Sequence, residues 1–131
     1  MAQTQTLEQL RAADAWTRAQ GCSDEYQKLA KGLPALIMNS GLMQVMAFLE
    51  EKGAKDKQRH CRELAQHLRL WLVKRFPKAC PSAEFRPFME ALMKANPSTF
   101  QDITTEAFDW LRWSRQMSAA AHATQNPTKE K

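Results

Sequence analysis

Between Leu42 and Leu49 the chain reads Leu-Met-Gln-Val-Met-Ala-Phe-Leu, with Gln44 the only polar residue in the run. A helix apolar on every side has to be surrounded by other elements, so this stretch predicts a fold assembled around it, with the segment at the centre of a bundle. Gly41 and Gly53 bracket it. Asn39 or Ser40 is placed to cap its start.

The helical period continues on both sides, and no run shows the alternation of a half-buried strand. Thr6 and Gln9 form a capping box for a first helix, in which Ala12, Ala13, Trp16 and Ala19 share one face and Arg11, Asp14 and Arg18 another. Ser23 caps a second, with a stripe of Tyr26, Leu29, Leu33, Leu36 and Ile37 and a kink expected at Pro34. A long helix from about Asp56 to Arg75 carries Cys61, Leu64, Ala65, Leu68 and Leu72 on its buried side. Residues 76–87 hold three prolines and form a loop, with Ser82 capping a short helix lined by Phe85, Phe88, Met89 and Leu92. Ser98 and Gln101 suggest a further capping box for a last helix, Thr99 to about Ala121, burying Ile103, Ala107, Trp110, Leu111, Ser114 and Ser118. The expected fold is all-α: residues 1–131 as one compact domain of about six helices, with 1–5 and 122–131 as frayed tails.

With 131 residues, 44% of them hydrophobic, and only 4 Gly and 6 Pro, the chain is long enough for one self-supporting core and is unlike disordered or collagenous sequences. Cys22, Cys61 and Cys80 cannot all pair and lack metal-ligand spacing, which favours a reducing cytoplasmic setting. No signal peptide and no membrane-spanning run are expected.

The excess of positive charge is local. Residues 53–95 carry 10 Lys/Arg against 4 Asp/Glu, whereas residues 1–52 carry 5 against 6 and residues 96–131 carry 4 against 4. At 100° per residue, Lys55, Arg59, Arg62 and Arg69 fall with Gln66 on one arc opposite the buried stripe. Such an edge suits a polyanion, nucleic acid above all; a solvated helix face would give the same pattern.

A catalytic constellation is not expected. His60, His67 and His122 lack the spacing of paired metal ligands. Cys61 lies in an apolar stripe, Glu50-Glu51 is an acidic helix end, and no glycine-rich phosphate loop is present. The methionines read mainly as core filler. Residues 106–116 place Phe108, Trp110 and Trp113 beside Arg112 and Arg115. Phe108 and Trp113 lie on opposite flanks of the helix, so at least one is expected near the surface, where it can meet a protein partner or an unpaired base.

The run Leu33-Pro34-Ala35-Leu36-Ile37-Met38-Asn39-Ser40-Gly41-Leu42, continuing through Met46-Ala47-Phe48-Leu49, together with Thr105-Glu106-Ala107, Trp113, Arg115 and the small residues Ser118 to Ala121, resembles the small all-helical subunit of Cmr-type (type III-B) CRISPR effector complexes. The resemblance covers roughly residues 6–121 and departs in the proline-rich loop at 76–87 and at Ser114, where a basic or polar residue is expected. It implies a non-catalytic subunit that needs no cofactor, metal or small-molecule substrate. Such a subunit would stack with copies of itself into a short filament, contact other Cmr subunits, and help hold target RNA paired to guide RNA.

On that reading Lys55, Arg59, Arg62, Arg69, Arg112 and Arg115 are the candidate nucleic-acid contacts. Phe108, Trp113, Arg11 and Arg18 are the candidate partner contacts. The alternatives are a free-standing helical regulator using Lys57, Gln58 and Arg59 to read bases, the small subunit of another CRISPR effector type, and, ranked last, an enzyme with a dispersed site.

Overall fold

The computed structural model describes residues 4–125. Among them are six α-helices and no strand: α1 (Leu7–Ala19), α2 (Asp24–Ser40), α3 (Leu42–Lys52), α4 (Arg59–Arg75), α5 (Phe85–Lys94) and α6 (Pro97–Gln125), with a 3-10 turn at Asp56–Gln58 before α4. The fold is the all-α bundle that the periodicity predicts.

Local chemistry sets most of the boundaries. Thr6 and Gln9 close the expected capping box on α1, and Ser23 accepts the backbone N–H of Tyr26 at the start of α2. α2 runs through Pro34 without ending there. Helices α2 and α3 are joined by Gly41 alone, at φ 86° and ψ 157°, a conformation open in practice to glycine only. Neither Asn39 nor Ser40 caps α3, because both belong to the last turn of α2. At α6 the cap is Asn96, whose Oδ1 accepts the N–H of Thr99 at 2.8 Å, rather than Ser98. Pro97 then takes the first helical position, where its missing donor does no harm. α6 continues to Gln125, four residues beyond the expected end at Ala121.

The centre of the bundle is α6, which packs against α1, α2 and α4. Ile103, Ala107, Trp110 and Leu111 are fully buried along it, facing Leu64, Ala65, Leu68 and Leu72 of α4 and Tyr26, Ala30 and Leu33 of α2. The expectation that α3 occupies the centre is overturned. α3 lies against α2, α4 and α5, burying Leu42, Val45, Met46 and Leu49 while Ala47 and Phe48 face outward. Its outward apolar side is left without a covering layer. The methionines divide in the same way, with Met46 and Met89 buried and Met38 and Met93 largely exposed.

The face of α1 is the second correction. Ala13 and Trp16 point outward, and the buried side carries Asp14, Ala15 and Ala19, with Arg11 and Arg18 partly covered. An apolar-face reading fails here because polar partners on α4 and α6 hold the helix from its charged side.

Candidate nucleic-acid interface

Lys55 stands at the entry to the 3-10 turn and Arg59 opens α4; both are exposed, and neither has an ion pair within 4.0 Å among the described residues. Arg59 borders a surface cleft of about 480 Å³ that Glu25, Asp56 and Glu63 also line, so its field is partly cancelled. Lys57 and Gln58 sit in the 3-10 turn, with Arg59 next in sequence and the same carboxylates close by. That placement suits a helix laid into a base-pair groove poorly.

The other two members of the arc are engaged within the fold. Arg62 remains half exposed, but its Nε donates to the carbonyl of Glu50 at 3.0 Å and its Nη2 lies 3.4 Å from the Glu50 carboxylate. Arg62 can come this close because Gly53 has no side chain: a Cβ there would fall 2.7 Å from the Arg62 backbone nitrogen. Arg69 is only 5% exposed. Its Nε donates to the carbonyl of Ala83 at 2.7 Å and its guanidinium lies over the Phe85 ring at 5.7 Å. Burial lowers its pKa, Glu50 raises it and Arg62 lowers it further. The expected four-cation edge therefore ends at Arg62. The arc was read on an isolated helix, and the proline-rich loop folds back across its far end.

On α6, Arg112 and Arg115 are exposed, Arg112 with Asp109 4.0 Å away. Phe108 and Trp113 are partly buried and pack against the core. Trp113 also lines a shallow surface pocket with Thr6, Gln9 and Ala12 at the start of α1.

The strongest polar cluster is one the sequence did not disclose. Glu106, 4% exposed on α6, accepts Arg11 Nε at 2.7 Å and Arg11 Nη2 at 2.9 Å, and the indole N–H of Trp71 at 2.9 Å. Arg75 Nε lies 3.3 Å from it. Burial raises the Glu106 pKa, but the bonds from Arg11 and Trp71 and the charges of Arg11 and Arg75 outweigh it, leaving the carboxyl below its usual range. Asp14 is the counterpart on α1: it accepts the Trp110 indole N–H at 2.9 Å and lies 3.3 Å from Lys74 Nζ. Two carboxylates thus tie α1, α4 and α6 together through two indoles and three cations.

Arg11 was expected to offer a partner contact and is consumed by this network. Arg18 lies partly buried, its Nε without a hydrogen-bond partner. The available signal is Glu106 itself, the one charged residue at a helical spacing of four from the buried Trp110. A third buried polar contact joins Tyr26 Oη and His67 Nδ1 at 2.8 Å. Burial and Arg18 push the His67 pKa down to about 4, against the opposing pull of Asp14.

Among the described residues no group of three His, Cys, Asp or Glu side chains is placed to hold a metal ion. No helix there is long and apolar enough to cross a membrane.

The geometry is that of a helical bundle with scattered surface cations, exposed apolar residues and carboxylates committed to internal bonds. No curated protein and no solved structure matches the chain. The family model described as CRISPR-associated protein (Cas_Cmr5) matches residues 7–121, from the first residue of α1 to the last fully buried position of α6. A match over that span takes in all six helices, and the chain belongs to the Cas_Cmr5 family of CRISPR-associated proteins.

Proposed function

We propose that the chain is a non-catalytic structural subunit of a type III-B (Cmr) ribonucleoprotein in the cytoplasm, where it lends positive surface to target RNA and stacks on copies of itself. The observation that carries this reading is family membership across the whole helical bundle. The surface supports it. Lys55, Arg59, Arg112 and Arg115 stand exposed on or beside rigid helices rather than in a catalytic cleft. Cations arranged in this way contact phosphates without reading bases, which suits an assembly whose sequence specificity comes from guide–target pairing.

Stacking needs two different patches of one protein to meet without closing a ring. Trp16, 39% exposed on the outer face of α1, furnishes one. Leu36, Met38 and Phe48, all exposed around the α2–α3 junction, furnish the other. These replace Arg11, which the Glu106 network occupies.

The test of RNA holding is the salt dependence of target binding by the assembled complex. Each lost phosphate contact lowers the slope of log K against log salt by somewhat under one unit. Lys55→Ala with Arg59→Ala in every copy should flatten the slope by roughly 1.5 units per copy touching RNA and leave helix content unchanged. An unaltered slope and affinity would overturn the RNA-holding role. For stacking, Trp16→Glu should reduce the number of copies per complex, measured by native mass spectrometry.

A further inference from the structure

A groove of about 540 Å³ lies between α1 and α4. One wall is apolar: Leu7, Leu10 and Ala13, with Leu10 41% exposed and Thr17 at the far end. The other carries Lys74 and Arg75 of α4, paired with Asp14 and Glu106 respectively, together with Trp71 and with Arg18 of α1. Among the described residues Asp14 is the only carboxylate lining it, and that side chain already accepts from Trp110 and faces Lys74.

Two guanidinium groups of its lining are incompletely hydrogen-bonded within the chain. Nε of Arg18 and Nε of Arg75 are both buried from solvent without a hydrogen-bond acceptor; the latter is 3.3 Å from Glu106 but not aligned with it. Native proteins leave few buried donors unsatisfied. Arg18, Lys74 and Arg75 set three cations against one carboxylate in the lining, an excess that favours an anionic partner on the open side of the groove.

We propose that the α1–α4 groove docks an acidic amphipathic helix from a neighbouring protein subunit. The proposal rests on the chain being part of a larger assembly and is independent of whether it touches RNA. The α1 wall runs from Leu7 to Thr17, about 15 Å of helix, which matches roughly three turns of a partner helix. Apolar side chains of that helix at i, i+3 and i+7 would lie on Leu7, Leu10 and Ala13. Its carboxylates would meet Arg18, Lys74 and Arg75. A nucleic-acid backbone would satisfy the cations but leave the apolar wall facing water. Residues 126–131 of this chain carry two lysines against one glutamate and have the wrong sign for the site.

The experiment is photo-crosslinking within the assembled ribonucleoprotein, with Leu10 replaced by a photoreactive phenylalanine analogue and the products mapped by mass spectrometry. The expected product joins position 10 to another subunit, in a segment with Asp or Glu and apolar residues in helical register. Thr17→Glu adds a carboxylate to the groove without removing any member of the Glu106 network. It should lower the crosslink yield at least about fivefold through like-charge repulsion, whereas Thr17→Lys should preserve it. Crosslinks to RNA, to a second copy of this chain or to a basic segment would overturn the proposal, as would an incorporated chain giving no crosslink. A chain that fails to co-purify with the complex at all would defeat the assembly reading as well, and is distinguishable by that.

Discussion

The two ends of this bundle are held by different physics. Where α1, α4 and α6 meet, Glu106 and Asp14 collect directional bonds from Arg11, Trp71, Trp110 and Lys74. Where α3 meets α2, α4 and α5, the buried contact is apolar, made by Leu42, Val45, Met46, Leu49, Phe88 and Leu92, with the Arg62–Glu50 pair only at its exposed rim. Apolar burial tolerates small slips and alternative packings. A buried carboxylate with fixed donors accepts only one helix register, and disrupting it leaves an unpaired charge. The polar end therefore sets how α1 lies on the bundle, and α1 carries both the proposed stacking residue and one wall of the proposed docking groove.

This contrast is tested most severely at Glu106. Glu106→Ala strands the Arg11 guanidinium and the Trp71 indole, and should cost about 3–5 kcal/mol, read as a drop in Tm with loss of α1 helicity in hydrogen exchange. Leu49→Ala, at the apolar end, should cost about 2–5 kcal/mol by transfer and cavity terms, but with α1 protection intact. If α1 loosened equally in both variants, the distinction between the two ends would fail.

Acid separates them further. His67 in the folded chain titrates near pH 4, below the unfolded value of about 6.5. As pH falls from about 6.5 toward 4, the unfolded state takes up a proton that the folded state refuses, so stability declines across that window. The loss is on the order of 2 kcal/mol after allowing for partial solvent screening, and His67→Gln should remove it. Below pH 4.5 the depressed Glu106 carboxyl adds a second loss as it protonates, and Leu49→Ala should leave both intact. Gly41→Ala should cost roughly 1–3 kcal/mol through its φ of 86°, loosening the α2–α3 junction only. Smallest of all, Lys55→Ala should change chemical-denaturation stability by under about 0.5 kcal/mol.

How much of this was legible follows from the same contrast. The stripes Cys61–Leu64–Ala65–Leu68–Leu72 and Ile103–Ala107–Leu111–Ser114–Ser118 are all buried as their spacing predicts, because those helices bury one side against apolar neighbours. On α1 the spacing misled, since Asp14 and Arg11 face inward toward partners some ninety residues away in sequence, and no local pattern encodes such a pairing. On α3 the uniformly apolar run suggested enclosure on all sides. Its outward residues Ala47 and Phe48 are uncovered in the single chain, and the proposed stacking would place them against another copy. At the candidate interface, Arg59 and Arg62 are exposed on the arc that a helical wheel predicts, and Lys55, Arg112 and Arg115 are exposed elsewhere on the surface. Arg69 is not, because a wheel describes one helix without the loop that crosses it.

The way Arg69 holds that loop sets what the 76–84 segment can become. Its Nε grips a main-chain carbonyl, that of Ala83, and every residue type supplies that group. Substitutions at the exposed Pro77, Lys78, Pro81 and Glu84 are therefore cheap so long as one peptide oxygen returns to the guanidinium, whereas Cys80, fully buried, and Phe76 and Ala79, packed on the core, are fixed by their surroundings. Between the two fixed points, Cys80 in the core and the Ala83 carbonyl on the guanidinium, only the outward positions can vary, so the molecule can change its outer contour there while the helices beneath stay fixed.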